Sequence, residues 1–155
     1  MSEASLLADD YDATMAEVIA LAKSCSDEDW RTLCPKEERT VGVLFDHIAT
    51  GNPQVITWVD TFLAGKPVEI TPESLAAQNA EHAHKTAKRP RHQTIGDLDS
   101  STPRTSAAIR ALDEDQLRKS QQFGWAGRQD VGWVASAAVR HPRGHLKSIR
   151  EALGR

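Results

Sequence analysis

Aromatic residues are scarce in this chain: three Phe, one Tyr and four Trp make up 5% of 155 residues. Burial therefore rests on Ala, Leu, Ile and Val, a composition that suits packed helices better than a sandwich. Cysteine is scarcer still. Cys25 and Cys34 form no C-x-x-C spacing, which argues against a disulfide framework or a thiolate zinc site and leaves two reduced, structural thiols. Neither sign of charge dominates: 19 Lys and Arg stand against 22 Asp and Glu, a net charge of -3. That balance argues against nucleic-acid binding through bulk positive charge. No apolar run approaches the roughly 20 residues of a membrane span, and the first ten residues lack the basic start of a secretory signal. The expectation is a soluble, cytoplasmic protein of one domain, residues 1–155. Neither a G-x-S-x-G elbow nor a glycine-rich phosphate loop occurs.

What the chain does have is helical periodicity. Leu7, Tyr11, Met15, Val18, Ile19 and Ala22 form one apolar stripe and predict a first long helix from about Ser5 to Ser24. Ser26 and Asp29 read as a capping box, followed by a short helical turn through Trp30 and Leu33. Thr40 caps a second long helix with Val41, Leu44, Phe45, Ile48, Val55, Ile56, Val59, Phe62 and Leu63 as its apolar face, ending at Gly65. Pro53 predicts either a kink in it or two abutting helices. Thr71-Pro72-Glu73 opens a polar helix running to about Lys88. The basic residues Lys85, Lys88, Arg89 and Arg91 near its end read as a solvated cluster.

From Thr94 a third long helix carries Ile95, Leu98, Thr102, Thr105, Ile109 and Leu112, with Pro103 predicting a kink or break. Asp113 and Gln116 form another capping box, and Gln121–Gly127 read as a connecting loop. The last helix begins near Asp130. No segment shows convincing strand alternation. The fold class expected is all-α, a four-helix bundle with a long crossover between its second and third helices.

Chemistry has to start from the histidines. In the last helix, Val131, Val134, Ala138, His141, His145, Ile149 and Ala152 keep helical phase, so His141 and His145 share a face at i and i+4. Paired histidines also occur on helices without metal, and the pair alone leaves both readings open. Pro142 and Gly144 between them cost about 4 kcal/mol in a helix interior, a local rule broken where function often lies. His47 lies at the edge of the second helix's apolar stripe, with Gly51 and Trp58 on the same side. Trp58 suits a core position or a pocket wall. His82, His84 and His92 fall in the polar crossover and read as surface histidines.

Thr40–Ala49 together with Arg140–Arg150 resembles the DinB-like superfamily of metal-binding four-helix bundles, some of whose members are mycothiol- or bacillithiol-dependent transferases. Ser26–Trp30, Ala77–Asn79 and Ala111–Leu117 look like further landmarks of that superfamily. The resemblance implies that His47, His141 and His145 hold a divalent metal, with zinc or nickel the first candidates and iron a further one. It also favours a homodimer. Three neutral imidazoles would leave an ion its full charge and an open position, the chemistry that ionises a bound thiol or water. The expected function is transfer of a small thiol to a small electrophile, with Trp58 assigned to substrate binding. Hydrolysis of a small ester or amide and a non-catalytic metal-binding bundle are the alternatives. No nucleic-acid or membrane partner is expected.

Overall fold

The capping signals seen in the sequence set the boundaries of the helices. Ser2 accepts from the Ser5 amide and starts α1 (Glu3–Ser24), two residues earlier than the apolar stripe implies. The computed structural model describes residues 1–155 and is mostly helical. The Ser26 capping box opens α2 (Asp27–Arg31). Leu33 lies beyond that helix, in a two-residue strand β1 (Leu33–Cys34) paired antiparallel with β2 (Arg39–Thr40). Thr40 then caps α3 (Val41–Leu63). Thr71, with Pro72 in the first turn, opens α4 (Pro72–Thr86). α5 (Arg91–Arg110) starts three residues before the expected Thr94, behind Pro90, which makes no side-chain hydrogen bond to announce a cap. After it the Asp113 capping box starts α6 (Glu114–Arg118). The loop expected at 121–127 is a hairpin, β3 (Ser120–Gln122) and β4 (Arg128–Asp130), around a 3-10 turn at Gly124–Ala126. Asp130 caps α7 (Val131–Leu153). The two hairpins correct the expectation of no strands. Each strand has only two or three residues, too short to register alternation.

α1 and α3 each pack against both α5 and α7, closing a ring of four long helices. Tyr11, Met15, Leu44, Phe45, Ile48, Leu98, Ile109 and Ile149 fill the space between them without measurable exposure. Each buried Leu, Ile or Phe contributes about 1.5–3 kcal/mol. That gain decides what happens at the prolines. Pro53, Pro103 and Pro142 all lie inside continuous helices, and each costs about 3 kcal/mol. Buried residues on both sides outweigh the cost, as Val134, Ala135 and Ala138 before Pro142 and Leu146 and Ile149 after it illustrate. α3 is therefore one helix, not two. A second apolar cluster, with Val59, Phe62, Val68, Leu117, Phe123 and Val131, closes one end of the ring.

The basic cluster is only half solvated. Lys85 and Lys88 are exposed, whereas Arg89 pairs with Asp46 and Asp97, and Arg91 reaches the Cys25 carbonyl and Asp27. No helix is long and apolar enough to cross a membrane.

Candidate metal centre

Because α3 and α7 pack along each other, His47 of α3 meets His141 and His145 of α7. The three ring centroids are 4.5–4.9 Å apart. Nε2 of His141 lies 2.8 Å from Nε2 of His47 and 3.1 Å from Nε2 of His145. The continuous helix through Pro142 and Gly144 is what keeps the two α7 histidines on one face.

The protonation states follow from the neighbours. Nδ1 of His145 lies 2.8 Å from both carboxylate oxygens of Glu37. An ionised carboxylate only accepts, so Nδ1 carries the proton and Nε2 keeps its lone pair toward the other rings. His141 Nε2, with one proton or one lone pair, can satisfy only one of its two contacts as a hydrogen bond. The other contact is left without a full hydrogen bond, and a cation between the rings would instead take the lone pairs of all three. Burial, then the neighbouring His141 and His145, push His47 down to about 2. Burial and His145 push His141 down to about 3. Burial also lowers His145, against the opposing pull of Glu37. All three imidazoles are neutral at pH 7, the form that ligates metal, and the donor set fits a divalent ion.

Two residues shape the space around the rings. A Cβ at Gly51 would lie 2.9 Å from Cε1 of His141, so only glycine lets that ring stand against α3. Glu37 sits in the turn between β1 and β2, where Glu38 adopts a left-handed φ of 54°. The turn delivers the carboxylate to a histidine far along the chain and holds the ring in place, as carboxylates do behind metal-binding imidazoles.

The rings border a cavity of about 380 Å³. Val55, Trp58, Leu75 and Ala137 form its apolar wall, and Thr50, Gln54, Gln78 and Asn79 its polar one. Gly51 and Trp58 both line it, on the same side as His47. The Trp58 ring also packs edge-on against Phe123 with centroids 5.1 Å apart, so it is half core and half wall.

His82 corrects the sequence reading. It is not on the surface: its side chain is 15% exposed, it lines the same cavity, and its Nε2 lies 2.8 Å from Oδ1 of Asp46. His84 and His92 are exposed as expected. Asp46 is 4% exposed and also accepts from Thr94 at 2.7 Å and from Arg89. Burial raises its pKa, but the His82, Thr94 and Arg89 hydrogen bonds outweigh that and hold it down to about 2. Sequence reasoning missed Asp46, His82 and Glu37. One signal was available for the first: an acid among the buried residues of α3 needs buried partners.

A family model of the DinB superfamily matches residues 10–149. The chain belongs to that superfamily. The match takes in His47, His141 and His145, and the superfamily's frequent metal binding agrees with the three-histidine cluster. No curated protein and no solved structure matches the chain.

Proposed function

We propose that this DinB superfamily protein is a metal-dependent enzyme that transfers a low-molecular-weight thiol to a small electrophile. In this reading α1, α3, α5 and α7 are a four-helix bundle, the stretch holding α4 is its crossover, and residues 1–155 are one domain. His47, His141 and His145 hold one divalent ion, zinc or nickel first and iron next. The observation that carries the proposal is the convergence of three neutral imidazoles on a cavity without a lining carboxylate or thiol. When bound, the ion supplies a Lewis-acidic open position that favours the ionised form of a thiol.

The chain's own residues do the rest. Neither cysteine can serve as the nucleophile. Both are buried, and burial pushes the Cys34 thiol up to about 11, with the Glu37 charge adding to it, and raises Cys25 as well. The reacting thiol therefore enters from outside. Glu37 holds His145 in one tautomer, and Gly51 leaves room for His141. Trp58 and Val55 form a wall for the apolar part of a substrate. The biological setting proposed with this reading is a cytoplasmic homodimer without nucleic-acid partners.

The test compares zinc-loaded and metal-free protein with a panel of small thiols and an electrophile such as monochlorobimane. Metal-dependent conjugation above the buffer rate is the expected result. Equal rates for both forms overturn the transferase reading, and metal-dependent hydrolysis of simple esters in their place replaces it with the hydrolase.

A further inference from the structure

Arg39 leads into α3 and lines the cavity beside the histidines, and its side chain is 18% exposed. Its Nη1 is buried with no hydrogen-bond partner. Its one ion pair is long, 3.9 Å from Nη2 to Oε2 of Glu37, and both oxygens of that carboxylate already accept from His145. A guanidinium carries five donors in a planar fork suited to a carboxylate. Leaving it this far from complete pairing in a half-closed space is costly unless a ligand completes it.

The surroundings point to the sign of that ligand. No Asp or Glu lines the cavity, and Arg39 shares its lining with His47, His141 and His145. With a divalent ion on the histidines, a dication and a guanidinium would face one space; Glu37 lies behind His145, and the Asp46 charge behind His82 is already matched by Arg89. Opposite the charge lie Val55, Trp58 and Leu75.

We infer that the cavity recognises a small organic carboxylate, its acid group held by the Arg39 fork and its apolar body against Trp58. The inference deepens the function proposed above and rests on it for treating this cavity as the substrate site. The carboxylate belongs either to the thiol or to the electrophile, and the two share the chemistry that Arg39 reads. An aromatic acid of the size of phenylacetate falls well within 380 Å³.

The experiment is calorimetric titration of phenylacetate and of its neutral analogue phenylacetamide into zinc-loaded and metal-free protein. Hydrogen bonds to a charged group predict that the acid binds at least about tenfold tighter than the amide. Arg39→Gln should bring the acid down to the level of the amide while zinc content and melting temperature stay at wild-type values. Equal affinities in the wild type, or no binding of phenylacetate at millimolar concentration, overturn the inference. So does a preference undiminished in Arg39→Gln, which would put the acid on the metal alone. Should that variant fail to fold, metal-free wild type decides: a retained preference for the acid supports Arg39, and its loss overturns it. These readouts need no turnover, so a positive thiol assay without acid preference defeats only this inference. Acid preference without thiol conjugation defeats only the transferase reading. Replacing the probe by mercaptoacetate and then by a carboxylated electrophile tells which partner carries the acid.

Discussion

Asp46 and His47 are neighbours in α3, yet they face opposite kinds of polar surroundings. Asp46 accepts from His82, Thr94 and Arg89, which come from α4, α5 and the connection between them, and all these donors are protein groups. His47 meets two further imidazoles whose nitrogens cannot all be satisfied by one another, at the edge of a cavity. One network is closed and the other open. A closed buried network resists rearrangement and ties elements together, because removing one member leaves the others desolvated and unpaired. An open one leaves donor atoms for something the chain does not supply. Stability and ligand binding should therefore respond separately to substitutions only one residue apart.

The largest expected effect is on the open side. His47→Ala, His141→Ala and His145→Ala should each reduce bound metal from close to one ion per chain to below about a tenth, with at least about 3 kcal/mol of metal affinity lost. The exposed His84→Ala should leave it unchanged. Mass spectrometry of tag-free protein measures this directly. Equal metal in wild type and the triple variant would abolish the distinction between the two networks.

On the closed side, Asp46→Asn should cost about 3 kcal/mol of stability in urea unfolding while folded protein still takes up metal. The pH dependence has a definite sign. The folded-state pKa near 2 lies below the unfolded value of about 3.9, so the charge stabilises the fold above pH 4. The contribution fades as pH falls from about 4 to 2. The gap between wild type and Asp46→Asn should narrow over that window and stay constant above it.

The contrast between the networks also explains what could be read from the sequence. His141 and His145 were legible because periodicity survives Pro142 and Gly144, and the helix indeed runs through both. His47 was a third candidate from its edge position, but the resemblance was needed to single it out, since an edge position by itself faces any neighbour. Helix starts were legible wherever a cap announces itself, at Ser26, Thr40, Thr71, Asp113 and Asp130. Glu37 was not, because a charged turn such as Pro35–Arg39 reads as solvated until the hairpin carries it to α7. His82 and Arg89 failed for the same reason: their burial depends on where α4 lies on α3, which local pattern does not encode.

Glu37→Gln tests the support behind the open site. Gln keeps the size and can still accept from Nδ1, but it lacks the charge that holds the imidazole and strengthens its lone pair. Metal affinity should fall about 10–100-fold, less than for loss of a ligand, with little change in the melting temperature of metal-free protein. A zinc titration against a competing chelator separates this from the histidine variants.

The smallest effect belongs to His82, the residue that touches both regions. Its Nε2 is bound to Asp46, while its ring lies 5.7 Å from that of His47 and borders the cavity. Its Nδ1 is buried without a partner, so the residue already carries one unsatisfied atom. His82→Ala removes a hydrogen bond to a charged group, for about 1.5–3 kcal/mol, but it also removes that orphan, which offsets part of the loss. The net change in stability should be about 1 kcal/mol, with metal content unchanged. His82→Gln, which can still donate to Asp46, should recover most of it. If His82→Ala lowers metal content while urea unfolding is unaffected, His82 belongs with the open site, and the boundary between the two networks runs through Asp46 and not beside it.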